Sequence, residues 1–346
     1  MIVKRLARVL LLLILALFFL SANEAFSASK DKPIVWKHSS RTTEKGSMNR
    51  IIVWFYDQIE KRTNGRFKMK YFWNASLVSA REAPNALKAG ISQSTLWWPP
   101  FYAAKIPLQT LDCLPFMAPR NRTKAAALHV ELNKHPAVQA EMARWDAMLL
   151  APNSFGQEEF LGTKPVRNLG DLKGLRVGAH REWTGILKRF GGINVSLPTP
   201  GTYDALQKGV MDSTLYSDGT ALAYRLFEVA KYNTRVAITG MVAPFVCKKS
   251  AFDALPGDIK KVFREVSKEA LTHFPKHMDG IEKRALGIYK KKGIEIVTMP
   301  KEDLAQIEKA AKEIAWTHWV EQYEKQGLPA KELMDYYLAK KKAMMP

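Results

Sequence analysis

Apolar and polar positions along the chain fall into two alternating rhythms. The run "PIVWKHSS" (33–40) alternates with a period of two and ends in polar residues, as a short strand running into a loop does. Beyond it, Ile51, Ile52, Phe55 and Ile59 recur at helical spacing until Asn64-Gly65 closes the segment. "FKMKYFW" alternates again, "AREAPNALKAG" returns to a helical period ending at Gly90, and "STLWW" reads as another strand. Strand, helix, strand, helix, strand with connections of a few residues predicts an α/β unit on a mainly parallel sheet.

The rhythm then breaks and restarts. "APNSFGQEEFLGTKPVRNLGDLKG" (151–174), with its glycines, prolines and Asn-Leu-Gly-Asp turn, reads as a crossover or hinge. It is followed by strand "LRVGA", helix "WTGILKRFGG", strand "INVSL", helix "TYDALQKGV" and strand "DSTLYS". "TGMVAPFVCKKSAFDALP" supplies one more strand and a turn, and the rest is helical, with a long segment after Pro256 interrupted at Pro275. No tandem repeat, coiled coil or low-complexity segment occurs.

The first 28 residues change the compartment. Lys4, Arg5 and Arg8 precede the apolar run Val9 to Leu20 and small residues around Ala25, Ser27 and Ala28, the three-part layout of a secretory signal peptide. The mature chain is therefore expected in the periplasm. Its removal takes Lys4, Arg5, Arg8 and Glu24 and lowers the net charge from +20 to +18. So basic a chain could meet nucleic acid, but an exported one has little occasion to, and the lysine runs "YKKKGIE" and "AKKKAMM" read as solvated helix faces. Cys113 and Cys247 lie in apolar surroundings, so two buried free thiols are expected rather than a disulfide.

Catalytic signatures are absent. There is no G-x-S-x-G elbow, no H-E-x-x-H helix, no phosphate-cradling G-x-x-x-x-G-K and no C-x-x-C pair. His273 and His277 share a helical face but flank Pro275 and lack further ligands, and His129 and His135 read as surface residues. No metal, no cofactor and no catalytic residue is expected. Trp97 and Trp98 end a strand just before Pro99-Pro100-Phe101, where an open α/β sheet faces its ligand. Neighbouring strand residues point to opposite faces, so one ring should be core and the other should line a cleft.

Several motifs, in order and spacing, resemble the extracytoplasmic solute-binding proteins of tripartite ATP-independent periplasmic (TRAP) transporters. They are "WFYDQIEKRTNGRFKMKYFWNASL", "ALKAG", "LDCLPFM", "NLGDLKGLRV" and "YDALQKGVMDS", and together they span nearly all the mature chain. The resemblance implies an α/β, two-domain periplasmic binding protein fold with a ligand cleft between the domains, crossing strands and a long linking helix. The boundaries expected are 29–153 with 243–281 for one domain, and 154–242 with 282–346, including the C-terminal helices, for the other. It also implies a small-molecule ligand, commonly an organic acid, delivered to membrane-embedded permease subunits by a chain expected to be a monomer. A periplasmic enzyme acting on a small organic compound is the competing reading.

The customary contacts are replaced. Gly178 aligns with the family's carboxylate-gripping Arg, Glu158 with a second Arg, and Tyr216 with a ligand-facing Asn. Strand alternation would put Arg176, Gly178 and His180 on one face, with Gly178 leaving room for a bulky group and His180 or Arg181 standing in for the lost Arg. Glu158 facing a cleft needs a cation, a proton or a ligand ammonium. The candidate ligand-binding residues are thus His38, Trp97, Trp98, Phe155, Glu158, Gly178, His180, Arg181, Tyr216 and Asp218. The ligand they suggest is a small organic acid, amine-bearing or aromatic, an amino acid being one example.

Overall fold

Among the described residues, eleven short strands form where β-branched and aromatic residues gather. In chain order they are β1 (Ile34–Ser39), β2 (Phe67–Phe72), β3 (Ser94–Leu96), β4 (Ala147–Ser154), β5 (Gln157–Gly162) and β6 (Arg176–Gly178), then β7 (Ile193–Asn194), β8 (Ser213–Ser217), β9 (Tyr232–Thr239), β10 (Val242–Lys248) and β11 (Glu295–Thr298). The structure is a computed structural model that describes residues 32–44, 46–239 and 241–345. The expected signal peptide, residues 1–28, lies outside the described residues.

The strands make two sheets, ordered β2-β1-β3-β10-β4 and β11-β9-β5-β8-β6-β7. β1, β2 and β3 run parallel, as the βαβ rhythm predicts, and so do β6, β7 and β8. The chain passes between the sheets three times, twice from strand to strand and once through helix Gly257–Lys291 on the way from β10 to β11. β4 lies in the first and β5 in the second, with Phe155 and Gly156 between them, and β9 in the second is followed by β10 in the first. β10 pairs antiparallel with β3 and β4, and β5 antiparallel with β8 and β9. The stretch 151–174 carries one of these crossings, and it also contains the end of β4 and all of β5, because ladder pairing outweighs its turn-like composition.

Helix Ser47–Arg62 turns Ile51, Ile52, Phe55 and Ile59 inward against the first sheet. Phe55, Phe245, Phe263 and Phe274 meet there in edge-to-face pairs. Helix Gly257–Lys291 supplies the last two of these rings and continues unbroken through Pro275. A proline removes one backbone donor there, but the flanking residues are pinned from outside the helix. His273 stacks on Trp54 at 3.7 Å and Phe274 is fully buried. Further along, Glu282 of the same helix joins Arg122 (2.6 Å) to Arg235 of β9 (2.8 Å), so one acid ties the region before β4 to the second sheet.

The C-terminal helices, Lys301–Ala311, Thr317–Glu324 and Ala330–Met344, bury Leu333 and Tyr337 with Leu128 and Leu132 on one side, and Ile307 with Ile186 and Leu187 on the other. His129 is not a surface residue. Fully buried, its Nδ1 lies 2.6 Å from Asp112 Oδ2, and His135, nearly buried, caps helix Pro136–Arg144. Cys113 and Cys247 are free thiols. No helix among the described residues is long and apolar enough to cross a membrane.

Candidate ligand-binding site

Where the strand ends of the two sheets face each other there is a cleft of about 420 Å³, within the range usual for small-molecule sites. One wall comes from the first sheet and its loops. β1 ends at Ser39, and the polar loop after it presents Arg41 to the cleft. Trp98 and Phe101, which follow β3, lie beside it: the guanidinium carbon sits 4.5 Å from the Trp98 ring centre and 4.3 Å from that of Phe101. The two rings stand nearly perpendicular, at 84°, and hold the guanidinium in the angle between them. Phe155 packs on Trp98 at 4.7 Å and extends the apolar wall.

Arg41 is half-buried, and burial lowers its pKa while Tyr224 and Tyr102 oppose the shift. Among the described residues lining the cleft it is the sole Arg or Lys, and no carboxylate of the described residues forms an ion pair with it. A permanently charged planar fork, oriented by two rings and left without an acid, is set up to take a ligand carboxylate through paired hydrogen bonds.

The opposite wall comes from the second sheet. At the start of β5 two adjacent glutamates take different fates because strand side chains alternate. Opposite Glu159 the pairing of β5 with β9 shifts register, and Ala237 adopts a left-handed φ of 50°. Glu159 fills that bulge: Oε2 accepts from the backbone N–H groups of Val236 (2.5 Å) and Ala237 (2.9 Å), and Oε1 lies 3.0 Å from Arg235. Glu158 points the other way, into the cleft. Its nearest basic side chain is His180, Nε2 to Oε1 3.5 Å, and the imidazole rests against Tyr216 at 5.7 Å between centres. Burial pushes the Glu158 carboxyl up to about 7, with His180 and a hydrogen bond from the Trp183 side chain opposing the shift and Glu182 adding to it. Lys164, two residues beyond the end of β5, pairs instead with Asp212 at 2.9 Å.

Of the residues singled out from sequence, Trp98, Phe155, Glu158, His180 and Tyr216 line the cleft together. The other five do not. Trp97 is fully buried beside Tyr102, as alternation across a strand requires once Trp98 faces out. His38 is also fully buried, with Nδ1 2.9 Å from Ser94 Oγ inside a ring of Tyr56, Tyr71, Trp73 and Phe245. Burial takes its pKa down to about 3, so it is a neutral core residue.

Gly178 offers no space to a ligand. A Cβ there would lie 2.9 Å from Met211 Sδ, whose side chain already fills the position. β6 stops at Gly178 and the chain enters the helical turn Arg181–Trp183, so strand alternation does not carry on through 180. That turn sends Arg181 to the surface and Glu182 and Trp183 to the cleft. Arg176 grips Asp212 through two contacts of 2.9 and 3.0 Å at the start of β6. Asp218 is an internal anchor, 2.7 Å from Arg235 and 2.9 Å from the Tyr289 hydroxyl.

Arg41 was not among the expected residues, although its signal is present. It follows a parallel strand by two residues, at the carboxyl end where open α/β sheets bind ligands. The same rule that drew attention to Trp98 applies to it. Among the described residues no group of three or more His, Cys, Asp or Glu could hold a metal ion.

Comparison with known proteins agrees with this geometry. The sequence profile of bacterial extracellular solute-binding protein, family 7 (DctP), matches residues 38–324. A solute-binding protein of Albidiferax ferrireducens is 26% identical over 309 residues, covering 84% of this chain and 87% of that protein. A marine-metagenome TRAP solute-binding protein specific for aromatic acid ligands, solved with 3-hydroxybenzoate, has a TM-score of 0.80 at 18% identity, covering 91% of this chain and 100% of that one. One from Rhodoferax ferrireducens T118, with copurified benzoate, has a TM-score of 0.78 at 20% identity, covering 90% and 98%. With two α/β domains about a cleft and a profile match over most of its length, the chain belongs to the DctP family of bacterial extracellular solute-binding proteins, the solute-binding proteins of TRAP transporters.

Proposed function

We propose that this chain captures a ring-bearing organic acid in the periplasm and hands it to a TRAP permease, as a monomer that closes about its cleft. The closing bodies are assigned as 29–153 with 243–281 and 154–242 with 282–346. The observation that carries the ligand class is the Arg41 guanidinium, held between Trp98 and Phe101 with no acid of its own. It would take the carboxylate, while Trp98, Phe155 and Tyr216 cover the ring and Glu158 and His180 face its far end. Support also comes from relatives of the same fold. Besides 3-hydroxybenzoate and benzoate, solved relatives hold β-D-galacturonate and orotic acid, each a ring with one carboxylate.

The test is calorimetric titration of the purified protein with ring-bearing and open-chain carboxylates, for wild type and Arg41→Ala. A carboxylate on two charge-assisted hydrogen bonds gains roughly 1.5–3 kcal/mol from each. Arg41→Ala should therefore weaken the best acid by about 100-fold or more. Arg41→Lys should restore only part of that, since a point charge lacks the planar fork. Full affinity in Arg41→Ala would remove Arg41 from the site, and preference for open-chain acids would remove the ring.

A further inference from the structure

The two ends of the cleft carry opposite chemistry. Arg41 stands on the first-sheet wall, whereas the second-sheet wall supplies two carboxyls, Glu158 and Glu182, and one imidazole, His180. Glu159, one residue along β5, is tied by two backbone N–H groups and Arg235, whereas Glu158 faces the cleft with the Trp183 side chain as a hydrogen-bond donor and the His180 imidazole 3.5 Å from Oε1. A carboxylate can accept more than one hydrogen bond. A ligand in the cleft can bring a further donor to it.

We infer that Glu158 is a specificity-determining residue that selects, among ring-bearing acids, those carrying a hydrogen-bond donor, an amine or a hydroxyl, on the end away from the carboxylate. The inference rests on the carboxylate being held by Arg41. A second carboxylate at that end would meet Glu158 and Glu182 and be repelled, so dicarboxylates are turned away. A methoxyl in place of the hydroxyl would bring Glu158 no donor, which a site built around a hydrogen bond penalises. Tyr216, resting on His180, holds the imidazole to one side of Glu158 and so leaves the approach to the carboxyl open from the cleft.

The experiment uses four probes of one shape: benzoate, 3-hydroxybenzoate, 3-methoxybenzoate and benzene-1,3-dicarboxylate, titrated into wild type, Glu158→Gln, Glu158→Leu and Arg41→Ala. Wild type should prefer 3-hydroxybenzoate over 3-methoxybenzoate by at least about tenfold and bind the dicarboxylate most weakly of the four. The readout is the hydroxyl-to-methoxyl affinity ratio, because a variant that merely disturbs the fold weakens both ligands alike. Glu158→Leu should bring the ratio close to one, and Glu158→Gln, which keeps an acceptor oxygen, should retain part of it. Equal binding of the two probes by wild type, with both lost in Arg41→Ala, would overturn the role of Glu158 and leave the ring-acid reading standing. Binding of none of the four would overturn both.

Discussion

Glu158 and Glu159 are neighbours on one strand, both pushed up to about 7 chiefly by burial, yet their surroundings are unlike. Glu159 is tied into a bulge by fixed partners, and Glu158 faces the cleft. For a carboxyl whose folded pKa is raised, the folded state keeps a proton that the unfolded chain releases near pH 4.5. Its contribution to stability is then full below about 4.5 and is lost as pH rises through 7. At alkaline pH the loss for one group reaches at most about 3 kcal/mol. Glu158→Gln removes that loss, so its melting temperature relative to wild type should rise between pH 5 and pH 8. His38 has the opposite sign, since its lowered pKa makes stability rise with pH below about 6.5, but it is common to both proteins and cancels in the difference. A difference in melting temperature that does not change with pH would mean Glu158 is not titrating in the folded protein.

At the scale of elements, the passage from β4 to β5 is built on Gly156. Its φ is +89°, and a Cβ there would collide with the Arg122 guanidinium, which is itself paired with Glu282 and Asp279 of the long helix. Gly156→Ala should therefore cost about 1–3 kcal/mol of stability, measurable by urea denaturation, and an unchanged midpoint would show that this crossing is soft. Much of the element order could be read from periodicity, because helix Ser47–Arg62 and strands such as β1 and β2 are more buried on one face than on the other. β4 and β5 could not: their residues combine Pro152, Asn153 and Gly162 with two glutamates, and only pairing with β10, β8 and β9 makes them strands. The candidate site divides differently. Trp98 follows from alternation and Glu158 from its alignment with a family Arg, whereas Gly178, aligned with the other Arg, is backed by Met211, and Arg181 is turned to the surface where β6 gives way to a helical turn. Arg41 hid in a polar loop whose geometry depends on Trp98 and Phe101, some 60 residues away in sequence.

At the scale of the molecule, a cleft between two sheets joined by two strand passages and one long helix is suited to hinge closure. The acid would bridge Arg41 on one side to Glu158 on the other, so occupancy should favour the closed arrangement. Small-angle scattering should then show a smaller radius of gyration at saturating ligand, and an unchanged radius with stoichiometric binding would rule out closure. The net charge of +20 resides largely on exposed lysines and does not define the site. Specificity is assigned instead to one arginine that pairs with no acid of the described residues and one glutamate open to the cleft, on opposite walls. The most direct measurement is a crystal structure of the protein with the tightest-binding ring acid. Its carboxylate should lie on the Arg41 guanidinium, with the ring against Trp98; a carboxylate held by any other group, or a ligand outside this cleft, would contradict the assignment.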